Sequence, residues 1–250
     1  MDALDLIIIS GLPRSGTTYI HNALARYGKK SNIFGIRNVV RNSRFCDLEL
    51  EDHQYVETDA FYDSPYFSNF LPDYKLPHWI TSEPAICNTY NGDLTDIVLL
   101  LLKHWRIKLS NPTLTVIYKH PQASFRIPLT LPNNKILYII CNREKENWKN
   151  AVIKDKFTDS VDINAGAPWV KANWGKEWKE PIELDDRLNH LYTIWNTINN
   201  KILSDPNLIT FEFSYENPER DTNKILSYLN LKEFVKDAIK NWKPLNKKGQ

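Results

Sequence analysis

The sequence predicts an α/β fold with a central, mainly parallel sheet flanked by helices. Three observations carry this expectation. Four short apolar runs bounded by turn residues, at 6–10, 114–118, 135–141 and 208–213, read as strands. Helical periodicities lie between and after them, which is the order of an α/β chain. Runs such as Leu6-Ile7-Ile8-Ile9 and Ile136-Leu137-Tyr138-Ile139-Ile140 are apolar without alternation, the habit of strands covered on both faces in a parallel sheet.

Taken in order, helical patterns cover 17–27 (stopping at Gly28), 95–109, 146–157, 185–203, 218–229 and 232–242. The fifth opens on Asn217-Pro218, a cap residue followed by proline at the first helical position. Two stretches break the alternation. Residues 44–92 are irregular and rich in acidic and aromatic side chains, and residues 158–182 carry Trp169, Trp174 and Trp178 with little periodicity. Each has the length of a functional loop or lid more than of a connector. A chain of 250 residues fits one domain, 1–250, with an insertion at about 44–92.

Composition narrows the functional classes. At 42% hydrophobic and 25% charged, the chain is neither disordered nor fibrous, and its formal charge of +2 gives no argument for nucleic acid or a membrane surface as partner. Cys46, Cys87 and Cys141 lack the paired spacing of a zinc site and do not make a disulfide framework. The longest apolar runs fall short of the roughly 20 residues of a membrane helix, and residues 1–5 are acidic where a signal peptide is basic. The expectation is a cytoplasmic protein without a metal.

The most specific segment runs from the first strand through Gly11-Leu12-Pro13-Arg14-Ser15-Gly16-Thr17-Thr18 into a helix. A strand, a glycine-bounded turn and a helix start place free N–H groups, the positive end of the helix dipole and hydroxyl donors around an anion. The spacing of Gly11 and Gly16 equals that of a nucleotide-triphosphatase P-loop, but Thr17 stands where that loop requires lysine. Nor does the strand at 135–141 end in the aspartate that would hold magnesium; it leads into Asn142-Arg143. Both departures argue against ATP or GTP as a phosphoryl donor.

GLPRSGTT followed by the aromatic Tyr19 resembles the 5′-phosphosulfate loop of sulfotransferases that use 3′-phosphoadenosine 5′-phosphosulfate (PAPS). Further segments follow in that family's order. The run Ile139-Ile140-Cys141-Asn142-Arg143 is similar to the strand-then-arginine turn that holds the 3′-phosphate, and Thr210 to Glu219 resembles the family's strand ending in Tyr-Glu. The resemblance implies the three-layer, P-loop-like form of this α/β fold, and PAPS as co-substrate. Pro13, Arg14, Ser15, Gly16, Thr17 and Thr18 would hold the phosphosulfate, Tyr19 would lie near the adenine, and Arg143 would bind the 3′-phosphate. The family's serine, two helical turns on, is replaced by Asn150-Ala151, so Asn150 is the substitute donor. The Tyr215-Glu216 segment reads as structural.

Sulfuryl transfer also needs a base and a cation at the bridging oxygen. Val116 to Gln122 ends a strand in Lys119-His120-Pro121, similar to the family's strand ending in Lys and then His. The resemblance implies that Lys119 and Arg14 stabilise the sulfuryl group and that His120 is the catalytic base. Glu83, in Thr81-Ser82-Glu83-Pro84, is the rival base, because other branches use a glutamate; where tyrosylprotein-type members carry theirs, this chain reads Phe34-Gly35-Ile36-Arg37. A His-Pro after a strand equally fits a plain turn. Residues 47–75 hold eight acidic side chains against one lysine, interleaved with aromatics, and could cap an uncharged small-molecule or carbohydrate acceptor through a hydroxyl or an amine. The alternatives are a P-loop small-molecule or nucleotide kinase and a non-catalytic nucleotide-binding module.

Overall fold

Strands β1 (Leu6–Gly11), β2 (Ile33–Arg37), β3 (Tyr55–Glu57), β4 (Thr115–Lys119), β5 (Ile136–Asn142) and β6 (Ile209–Ser214) form one sheet in the order β3-β2-β4-β1-β5-β6. Every neighbouring pair is parallel. The structure is a computed structural model in which residues 4–12, 14–28, 32–37, 55–57, 99, 102–103, 106–107, 110–119, 134–154 and 183–240 are described. Among the described residues, helices with defined bounds are α1 (Thr17–Gly28), α2 (Lys145–Lys154), α3 (Leu184–Leu203), α4 (Pro218–Tyr228) and α5 (Val235–Lys240), the last preceded by a 3₁₀ turn at Lys232–Phe234. This is the three-layer α/β arrangement the sequence predicts.

Burial explains the unalternating apolar runs. All of β1 and β4 is buried, as is β5 up to Cys141, because helices cover both faces of the central strands. On one face Ile7, Ile9, Ile117, Leu137 and Ile139 pack with Ile20, Ala23 and Leu24 of α1 and with Ile225 and Leu226 of α4. On the other, Leu12 packs with Trp148 and Val152 of α2 and with Leu188, Leu191 and Trp195 of α3. β6 is an edge strand among the described residues, and of its six residues only Phe213 is buried.

The topology has a switch point at β1. Its own crossover, through α1, leads to β2 on one side, while that of β5, through α2 and α3 on the opposite face, leads to β6 on the other. In such sheets the crevice at the carboxyl ends of the two strands is the ligand site. Here it lies between the loop after β1 and the turn after β5.

Several details depart from the sequence expectations. β2 and β3 were not expected, and β3 falls inside the stretch read as irregular. Asn217 makes no side-chain capping bond, although Pro218 does open α4; within that helix Asp221 accepts the N–H of Ser214, the last residue of β6, at 2.9 Å. The 232–242 helix begins as the 3₁₀ turn before α5. The rest of 44–92 and the whole of 158–182 lie outside the described residues. No helix among those described is long and apolar enough to cross a membrane.

Candidate functional site

The loop between β1 and α1 is built around one turn. The Leu12 carbonyl accepts both the Ser15 N–H, at 3.1 Å, and the Ser15 hydroxyl. Arg14, at the third position of this turn, has φ 68°. That position of a type II turn requires positive φ and normally carries glycine or asparagine. An arginine there carries a strain of about 1–2 kcal/mol. Leu12 anchors the near side of the turn by its burial between α2 and α3.

Gly11 fixes how closely the loop approaches β5. Its φ is 142°, and a Cβ built there would stand 2.1 Å from the Cys141 carbonyl oxygen. Only glycine fits this approach. After the turn, the Ile20 N–H bonds the Gly16 carbonyl at 3.1 Å, so the first-turn N–H groups of α1 have no intrahelical acceptor. α1 also lacks an acidic residue in its first turn, whereas α2, α3, α4 and α5 each have at least one. Its positive dipole end is therefore left without an internal carboxylate.

Arg143 faces this loop from the end of β5. It is only 8% exposed; its Nη1 donates to the Arg14 carbonyl at 3.0 Å, and its guanidinium carbon lies 3.8 Å from the centre of the Tyr215 ring. Its Nε is buried and has no hydrogen-bond partner among the described residues. A buried guanidinium with an unused donor is costly unless something anionic completes it. Around it, the Tyr192 hydroxyl donates to the Arg143 carbonyl at 3.0 Å, and Glu216 accepts the Glu144 N–H at 3.1 Å. Burial, and then the carboxylates of Glu216 and Glu144, push the Tyr192 phenol above its ordinary range and keep it a donor. These carboxylates lie at the start of α2 and disfavour an anion there, whereas the start of α1 has no acidic residue in its first turn.

Lys119 ends β4 in the register row Arg37–Lys119–Ile9, at the same sheet edge, and is 8% exposed. Its charge draws the Cys141 thiol downward, but burial dominates and drives that thiol far above its ordinary range, so Cys141 is an inert core residue.

The structure thus brings Arg14, Gly16, Thr17, Lys119 and Arg143 to one edge of the sheet. Thr17 is buried and Thr18 is exposed at the helix start. For three of the expected residues the structure gives other surroundings. Ser15 is consumed by the turn through both its N–H and its hydroxyl, which leaves the cradle to the N–H groups that follow. Tyr19 packs against the core: its ring lies 5.7 Å from that of Phe213, and its hydroxyl donates to the Ala238 carbonyl at 3.1 Å. Asn150 is exposed beside a buried Ala151; the amide that reaches the Arg143 turn is that of Asn147, which donates to Glu144 and Glu216. Pro13, His120 and Glu83 lie outside the described residues. Sequence reasoning did not find Tyr192, and it read Tyr215 as structural only; the Tyr-Glu pair was the available signal for the latter.

Comparison with known proteins adds little to this geometry. No family model matches the chain, and no curated protein matches it. Among solved structures, the chain is similar to a GTPase from Pyrococcus abyssi in its apo form, at 12% identity and a TM-score of 0.30, covering 95% of this chain and 99% of that one.

Proposed function

We propose that this chain is a PAPS-dependent sulfotransferase acting on a hydroxyl, or secondarily an amine, of a small molecule or saccharide. The observation that carries the reading is the buried Arg143 with its open Nε, set at the switch point opposite a phosphate loop that has threonine in place of the P-loop lysine. Two anion subsites on adjacent strand ends suit a nucleotide with phosphates at both 3′ and 5′. The residues present fit that substrate. The N–H groups at the start of α1 with Arg14 and Thr17 receive the 5′-phosphosulfate, and Arg143 receives the 3′-phosphate.

In the transfer step, the acceptor oxygen forms a bond to sulfur as the bond from sulfur to the bridging oxygen breaks. The bridging oxygen leaves with 3′-phosphoadenosine 5′-phosphate, and the acceptor proton passes to His120. Lys119 and Arg14 stabilise the charge gathering on the bridging oxygen, a role worth about 3–4 kcal/mol for a well-placed donor. Positive charge for the reaction comes from these side chains and the helix dipole, so the proposed mechanism calls on no metal.

An acceptor panel with PAPS tests this reading. Release of the bisphosphate should depend on the acceptor, and Lys119→Ala and His120→Ala should each lower turnover about 100-fold or more while leaving bisphosphate affinity within a few-fold. Full activity in His120→Ala would move the base to Glu83. Bisphosphate binding without transfer to any acceptor would make the chain a binding module.

A further inference from the structure

We infer that Arg143 is a positioning residue for the phosphate loop as well as a ligand for the 3′-phosphate, so that the two phosphate subsites form one coupled unit. This rests on the nucleotide reading above and extends it. The peptide plane between Arg14 and Ser15 is held at both ends. Its N–H is taken by the Leu12 carbonyl at 3.1 Å, and its carbonyl, which a trans peptide points the opposite way, is taken by Arg143 Nη1 at 3.0 Å.

Arg14 sits at φ 68° with a side chain that disfavours that region, so the turn needs an outside tether. Arg143 is the charged donor that supplies it, and its own geometry is over-determined. Its guanidinium carbon lies over the Tyr215 ring, its carbonyl is bonded by Tyr192, and the Tyr215 N–H bonds the Asn142 carbonyl at 2.9 Å. Without that donor, the plane can rotate and bring the Arg14 carbonyl dipole toward the anion cradle, where it repels a phosphate. With it, the buried Nε of the same guanidinium is still without a hydrogen-bond partner among the described residues. An anion at that Nε fixes the guanidinium, and the fixed guanidinium fixes the loop. The 3′-phosphate therefore strengthens binding of the 5′ group beyond its own contact.

Amide hydrogen exchange on the ligand-free full chain is the test, paired with calorimetry using adenosine 5′-monophosphate, which lacks a 3′-phosphate. Arg143→Ala is expected to speed exchange of the Ser15, Gly16, Thr17 and Thr18 amides at least 10-fold and to weaken the monophosphate about 10-fold. Adding Arg14→Gly, which accepts positive φ without strain, should return exchange to within about threefold of the parent. Arg143→Lys keeps the buried charge and covers the case in which alanine does not fold; it too should speed loop exchange, by about threefold or more. Unchanged loop exchange in both Arg143 variants, or monophosphate affinity within twofold of the parent, overturns the coupling. If the parent chain binds neither this monophosphate nor 3′-phosphoadenosine 5′-phosphate, the functional reading fails, and the exchange data still decide the tether.

Discussion

The guanidinium carbon of Arg143 lies over the ring of Tyr215, 3.8 Å from its centroid. The two residues are 72 apart in sequence and meet because β5 and β6 run parallel in register, with Asn142 opposite Ser214 and the next residue of each strand turning over the sheet edge. Stacking on an aromatic face orients a guanidinium without using any of its donors. That leaves its N–H groups for the Arg14 carbonyl and for an anion.

Tyr215→Ala should therefore weaken binding of 3′-phosphoadenosine 5′-phosphate by about 5- to 30-fold, the range of a partly desolvated cation–π contact of roughly 1–2 kcal/mol. Tyr215→Phe, which keeps the ring, should stay within about twofold. Calorimetry on both variants checks this, and equal losses would assign the effect to the hydroxyl.

Gly11→Ala should destabilise the fold by about 3 kcal/mol or more. The obstacle is the Cys141 carbonyl of the adjacent strand, 2.1 Å from the new Cβ, and the clash is compounded by φ 142°. Neither the backbone of β5 nor the loop can yield without breaking the β1–β5 ladder. Urea unfolding measures the loss.

The fold was legible because apolar runs mark covered strands, and it was misjudged where hydropathy stops reporting the ladder. β1, β4, β5 and β6 each extend one residue past the predicted end, onto Gly11, Lys119, Asn142 and Ser214. These last rungs pair with neighbouring strands but are glycine or polar because they border the site. β2 and β3 were missed for another reason: β2 is interrupted by Gly35, β3 is three residues beside an acidic stretch, and both owe their strand state to pairing outward from β4. In the site, Arg14 and Arg143 were legible from motif and position. The Arg143–Tyr215 stack and the Tyr192 bond were not, since each depends on tertiary register and not on spacing along the chain.

Asp221 is buried and accepts the Ser214 N–H, while Arg220 bonds the same carboxylate at 2.7 Å. Asp221→Ala removes the acceptor and leaves the Ser214 N–H without its partner, a cost of about 2–3 kcal/mol. Asp221→Asn retains an acceptor oxygen and should cost about 1 kcal/mol less than alanine. Thermal unfolding of the two variants distinguishes them.

Asp5 ties the opposite end of the sheet together, accepting from Arg106 Nη2 at 2.6 Å and from the Lys135 N–H at 2.9 Å. Burial pushes its carboxyl up, but the Lys135 N–H and the Arg106 guanidinium together outweigh it and hold the group below its ordinary range. A folded-state value below the unfolded one, near 4, gives stability that is present above that value and lost as pH falls through the folded one. Asp5→Asn should thus cost about 1–2 kcal/mol at pH 7, with the difference shrinking toward zero in acid. Stability curves of parent and variant that stay parallel down to pH 2 would contradict this.

Isothermal titration of the full chain with 3′-phosphoadenosine 5′-phosphate and, separately, with ATP and magnesium measures the central claim. A crevice with one anion subsite at the start of α1 and a second at Arg143 predicts that the bisphosphate binds at least 10-fold more tightly. ATP binding more tightly than the bisphosphate would contradict the account.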